Sequence, residues 1–399
     1  MSLKNKLIFK TAVFGIGCCG VLPLSAQRSP YLTRVLEFMP APGQFMNELP
    51  EYEAGDTSEK MRQKAEDYLA YNGKSMVSLG GYGGYIVVGF DHTIANVKGE
   101  YDFKVSGNAF YAAANPNPGE RPGGSCEPGI IMVSYDANKN GLADDAWYEI
   151  AGSEYAKSET LKGYEITYYR PAADKKPVTD PEQPHFSDLT YIRWTDNQGK
   201  EGYIPKNVFH SQNYYPEWIK EDRITFKGTR LADNGMDESG TGNYFVLYAY
   251  DYGYADNHPN THELSNIKID WAVNEKGEPA GLPGIDFIKI YTGVNQCNGW
   301  LGECSTEVLN VEDLHPLVET AVSAPDAPDM LHTWYDPERS ELILDIAKKT
   351  DVYIVAATGK TIFRQTDVVG RHTIDLSGYP DGVYFLRTAF STQKIMKSR

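Results

Sequence analysis

The chain has 399 residues, with 38 Lys and Arg against 54 Asp and Glu for a formal net charge of −16, and its aromatic residues include 28 tyrosines. Three lysines lie in the first 26 residues and residues 329–399 hold ten basic and nine acidic groups, so residues 27–328 carry 25 basic and 45 acidic side chains, a formal −20. So acidic a body repels a phosphate backbone and attracts cations, which excludes nucleic acid as a partner.

In chain order, Lys4, Lys6 and Lys10 precede an apolar run from Thr11 to Leu24 that ends in Leu-Ser-Ala-Gln, the pattern of an export signal cut after Ala26. Lipidation at Cys18 is the alternative, although Gly15 stands where a lipobox usually has Leu. No later stretch approaches the roughly 18 apolar residues of a membrane helix, so the mature chain is expected to be surface-associated rather than membrane-spanning. Residues 27–75 read as an extended, Pro-rich segment followed by one helix. Asp56-Thr-Ser-Glu59 resembles a capping box at its start, Met61, Ala65, Tyr68 and Leu69 share one face, and it ends near Gly73.

From residue 76 to 322 the pattern is almost wholly β. Runs such as GYIVVGF, YDFKVSG, GIIMVSY, YEITYYR, DRITFKG and IDFIKIYTG alternate with Gly, Asn, Asp and Pro clusters. The fold class predicted is all-β: a jelly-roll-like β-sandwich with one N-terminal helix, plus a small C-terminal β-sandwich domain. Gly80-Gly-Tyr-Gly-Gly-Tyr85 reads as a tight bend, because a phosphate-binding glycine loop would lead into a helix and here an apolar strand follows.

Asp136, Asn138, Asn140, Gly141, Asp144 and Asp145 set oxygen-bearing side chains at spacings suited to a hard cation, with a glycine at the sharp turn. An EF-hand would need Glu at position twelve, which is Trp147, and the flanks read as strands. The expectation is a structural Ca2+ held by Asp136, Asn138, Asn140, Asp144 and Asp145 inside a β-protein, an Asx-rich turn being the alternative. Asp233-Asn-Gly-Met-Asp237-Glu238 and Asp251-Tyr-Gly-Tyr-Ala-Asp256-Asn257 are read as Asx turns, with a second cation or polar ligand contacts as the alternative.

Tyr244, Tyr248, Tyr250, Tyr252 and Tyr254 keep one parity, so a continuous strand would line them on one face, opposite Phe245, Leu247 and Ala249. Together with Tyr214, Tyr215, Trp218 and Trp300 they are the candidate ligand-binding residues, a covered sheet face being the alternative. Cys297 and Cys304 bracket CNGWLGEC and read either as a disulfide in an oxidising compartment or, with Cys126, as free thiols.

Catalytic signatures are not met: there is no G-x-S-x-G, and His258 and His262 do not complete H-E-x-x-H. Asp91-His92 is the best isolated acid–base pair, with His210, Glu149 or Asp144 as possible company, and a satisfied structural histidine is the plainer reading.

Residues 323–329, SAPDAPD, read as a linker, and 330–399 as a separate β-unit. There VYIVAATGKTIFR and IDLSGYPDGVYFLR, with Lys394 and Lys397 after them, resemble the C-terminal sorting domain of type IX secretion substrates. That resemblance implies delivery to the outer cell surface or the medium and removal of the tail. In the main body, SLGGYGGYIVVGFDHTI, DDAWYEIAGSEY and GIDFIKIYTGVNQCNGWLGECSTEV resemble a family of bacterial cell-surface proteins, some encoded beside outer-membrane vitamin B12 transporters. It implies a surface protein that captures corrinoid or another scarce nutrient for a TonB-dependent transporter. The resulting expectation is a non-catalytic, calcium-stabilised binding protein for corrinoid or otherwise a glycan. A secreted glycan hydrolase using Asp or Glu near the calcium loop, or a structural or adhesive module, is the alternative.

Overall fold

The computed structural model describes residues 28–113, 121–318, 331–337, 339–357, 360–388 and 392–397. The signal segment, the 323–329 linker and the Thr358-Gly359 turn lie outside them.

A six-stranded antiparallel sheet is built on Tyr85–Ala95 and Gly284–Thr292, whose alternate apolar residues are almost all covered, as in a central strand. Gly129–Ser134 pairs the other edge of Gly284–Thr292, followed by Trp147–Ile150 and Ala272–Val273, and Arg34–Met39 closes the far side. A four-stranded sheet of Leu161–Tyr169, Phe186–Asp196, Glu201–Asn207 and Arg223–Arg230 contributes Tyr164, Ile166, Tyr168, Ile224 and Phe226 to the same core as Ile86, Val88, Ile288 and Ile290. Smaller sheets of four, three and two strands complete the body, which is a sandwich with all-β layers.

Between the layers the Gly80–Gly84 bend turns tightly. Gly80 has φ +69°, and a Cβ there would stand 2.0 Å from the Ala41 carbonyl oxygen, so only glycine fits. The bend drives Tyr82 into the core, edge-on to Tyr164 at 5.0 Å.

The helix forms as Ser58–Leu69 and buries Met61, Ala65 and Leu69 against the sandwich. Its cap is Thr57, whose Oγ1 accepts from Lys60 N at 3.2 Å, one residue later than the capping-box pattern suggests. Asp56 is instead drawn away by Lys64 at 2.7 Å.

The C-terminal unit has its own apolar core, including Leu342, Leu344, Ile354, Leu376 and Leu386. Its long strand Glu341–Ala356 shifts register between Ile346 and Thr350. That lets it serve Leu331–Asp336 at one end and Gly382–Arg387 at the other, with Thr361–Asp375 alongside. Lys397 closes it, Nζ donating to the Tyr379 carbonyl at 2.8 Å and to Asp381 at 3.0 Å.

Candidate functional site

A cleft of about 350 Å³ opens on the main body, its floor lined by Glu127, Glu303, Glu307, Gln44 and Asn108 and its walls including Phe45, Phe209, His210 and Trp300. Three chain segments meet at the floor. Glu127 lies just before Gly129–Ser134, and that strand's first residue exchanges backbone hydrogen bonds with Ala255, which fixes Asp256 beside it. Glu307 opens the short strand Glu307–Val308, where it faces Ser78. One carboxylate oxygen from each of Glu127, Asp256 and Glu307 lies within 4.8 Å of the others.

These carboxylates are held by neutral donors. Asp256 accepts from Ala109 N at 2.8 Å and Glu307 N at 3.0 Å, Glu127 from Ser305 N at 3.2 Å and the Ser125 hydroxyl at 3.3 Å, and Glu307 from the Ser305 hydroxyl at 2.7 Å. Nearby Glu303 accepts from Gln44 N at 2.5 Å. Burial dominates their titration: it pushes Glu307 up to about 7 and Glu303 to about 8. Glu127 and Asp256 are raised well above the carboxylate range by burial and then by the charge of Glu307. Asp256 takes φ +50°, a conformation that asparagine and aspartate tolerate best.

A second, larger groove of about 840 Å³ adjoins through Asn207 and is lined by Arg170, Lys175, Lys206, Asp188, Tyr191 and Asn213 among others. Lys175 is held by Asp188 at 2.5 Å, whereas Lys206 stands over the Tyr191 ring at 4.7 Å.

The 136–145 loop joins two strands paired at Ser134 and Trp147. Its five candidate ligands are drawn together within the loop. Asp136 accepts from Asn140 N at 3.0 Å and Gly141 N at 2.7 Å, Asn138 and Asn140 donate side-chain N–H to Asp144 at 3.4 and 3.0 Å, and Asp145 accepts from Ala137 N at 3.2 Å. Asp286 anchors the loop to the sheet through Asp136 N at 2.7 Å. The tight convergence of three acidic ligand atoms is at Glu127, Asp256 and Glu307, not here, among the described residues.

The expected tyrosine face does not form. The strand is only Phe245–Tyr248, after which the chain turns through Gly253 at φ +90° and parity no longer sorts side chains to faces. Tyr250 and Tyr254 go into the core, packed edge-to-face at 5.6 Å. Tyr214, Tyr215 and Trp218 are buried as well, Trp218 against Phe38. Of the candidate aromatic residues, Tyr244 and Trp300 are each 39 % exposed and Tyr248 and Tyr252 are partly buried. Only Trp300 among these candidates lines the cleft.

His92 is sandwiched between Asp91 at 2.6 Å and Asp313 at 2.7 Å, a structural bridge. Glu149 is likewise engaged, by Lys162 at 3.0 Å and Thr229 at 2.6 Å. Asp237 caps its own exposed turn through Gly242 N and Ser239. Cys126, Cys297 and Cys304 are free thiols.

Residues 335–398 match the family model of the secretion system C-terminal sorting domain. The tail therefore marks this chain for export, to the cell surface or the medium. A search of curated proteins finds no match. Among the described residues no helix is long and apolar enough to cross a membrane.

Proposed function

We propose that this is a non-catalytic binding protein working outside the cell, which captures a carbohydrate in the 350 Å³ cleft and hands nutrient on at the outer surface. The observation that carries the reading is the composition of the cleft: partly exposed Trp300 and Phe209 stand over a floor of carboxylates and amides from Glu127, Glu303, Glu307, Gln44, Asn108 and Asn298. Aromatic faces cover the C–H surface of a sugar ring, and carboxylate and amide oxygens take its hydroxyl hydrogens. Calcium at Asp136, Asn138, Asn140, Asp144 and Asp145 would brace the hairpin without entering the cleft. On this reading the tail is removed on delivery, and a TonB-dependent transporter is the partner that receives the nutrient.

A corrinoid is the second reading. It is favoured by the 840 Å³ groove, where Lys206, Arg170 and Tyr191 would face a large, partly flat ligand with an anionic phosphate. The chain from residue 27 onward, titrated with soluble oligosaccharides and separately with cyanocobalamin, is expected to show saturable quenching of Trp300 fluorescence with a sugar. Silence toward both up to about 1 mM, an affinity near 4 kcal/mol, would remove the reading. Turnover of an oligosaccharide that disappears in Glu303→Gln would instead make the protein a hydrolase.

A further inference from the structure

Four acidic side chains at or just behind the floor of the cleft, Glu127, Asp256, Glu303 and Glu307, have no cationic partner among the described residues. No lysine or arginine among the described residues lies within ion-pair distance of Glu127, Asp256, Glu307 or Glu303. Each unpaired buried carboxylate costs several kcal/mol in desolvation. Some other buried acids are given cations, as Asp188 is by Lys175, whereas Asp102 is held by the backbone N–H groups of Val97 and Ile269 alone.

Independently, polar atoms around the same space lack partners. Glu307 Oε2, Glu303 Oε2 and Gln44 Oε1 make no hydrogen bond, although their residues are only 1, 5 and 6 % exposed and all three line the cleft. All are acceptors, and buried acceptors of this kind are ordinarily satisfied. A cation meets that need, since several acceptors can point at it together.

We propose that Glu127, Asp256 and Glu307 form a divalent-cation site, with Ca2+ the fitting ion, at the base of the cleft and separate from the 136–145 loop. The donor set is all oxygen, which suits a hard cation and not zinc. Three convergent carboxylates supply part of a shell of six to eight, and the open side toward the cleft leaves positions for water or for ligand hydroxyls. The surroundings keep the space clear and the ligands aimed. A Cβ on Gly107 would stand 2.1 Å from Asp256 Oδ1, and backbone N–H groups of Ala109 and Glu307 hold both Asp256 oxygens. The site stands whether or not the cleft takes a sugar.

The test is calcium binding by equilibrium dialysis of the chain from residue 27, stripped with chelator, as the parent and as Glu307→Gln, Glu127→Gln and Asp136→Ala variants. Glu307→Gln and Glu127→Gln are each expected to lose the same calcium equivalent, or to weaken it at least tenfold. That equivalent is expected to persist in Asp136→Ala. Stoichiometry and affinity unchanged in both Gln variants would overturn the site. Melting in chelator guards against misfolding: Glu307→Gln keeps the side chain's size and its Oε1 as an acceptor for the Ser305 hydroxyl, so it should melt no lower than the parent there while losing part of the calcium increment. A lower melting temperature in chelator with an undiminished calcium increment would make Glu307 purely structural and overturn the proposal.

Discussion

Replacing Asp136 by Ala tests the 136–145 loop through two separable losses. The carboxylate accepts the N–H groups of Asn140 at 3.0 Å and Gly141 at 2.7 Å, so its removal takes both bonds away, leaving Gly141 N to water and Asn140 N with Asn138 Oδ1 at 2.9 Å. At about 1 kcal/mol net per hydrogen bond, that costs about 2 kcal/mol without calcium. With calcium at a hundred times its dissociation constant the parent gains about 2.7 kcal/mol by linkage, and a variant lacking one charged ligand forfeits most of it. Near 2 °C per kcal/mol for a body of this size, the deficit is roughly 4 °C in chelator and roughly 9 °C in calcium. Differential scanning calorimetry of parent and variant in both conditions gives the four melting temperatures needed. A deficit no larger in calcium than in chelator would refute a cation in this loop and leave it an Asx-rich turn.

His92→Gln should weaken the protein in a pH-dependent way. Burial lowers the His92 pKa, but its hydrogen bonds to Asp313 and then Asp91 outweigh this and hold it above the ordinary 6.5. A raised folded-state pKa contributes stability that is complete below 6.5 and is lost as pH rises through the folded value. The melting gap between parent and His92→Gln should therefore be wider at pH 6 than at pH 9, and an equal gap would show that the bridge is not charged. Gly107→Ala should cost about 1–3 kcal/mol, because its Cβ would meet Asp256 at 2.1 Å, and should also weaken calcium binding at the cleft floor; denaturant midpoints and dialysis check both. Ile288→Ala, in the middle of the central sheet and fully buried, should cost about 2–5 kcal/mol by the same denaturation assay with calcium binding retained.

Much of the fold is written in local pattern. The apolar alternation of Tyr85–Ala95 and Gly284–Thr292, the helix around Met61, Ala65 and Leu69, and the glycine bend at Gly80 each follow from adjacent residues. Arg34–Met39 was hidden by the proline-rich run after it, and Glu201–Asn207 by its charges and an edge proline. The tyrosine parity misled because parity has meaning only while a strand lasts, and Tyr250 and Tyr254 lie past its end. Asp256 stands in an Asx-rich stretch and Glu303 and Glu307 in the tract GIDFIKIYTGVNQCNGWLGECSTEV, but their spacing marks no shared site. Glu127 comes from a distant and ordinary segment, EPG, and its meeting with Asp256 and Glu307 is set by strand pairing rather than spacing.

The measurement that tests the central claim most directly is calorimetric titration of the parent chain and of Trp300→Ala with the oligosaccharide that binds best, with Lys206→Ala as control. Capture in the cleft predicts at least a tenfold loss, about 1.4 kcal/mol, in Trp300→Ala and an unchanged affinity in Lys206→Ala. Undiminished binding by Trp300→Ala, or a loss confined to Lys206→Ala, would contradict it and move the ligand to the larger groove.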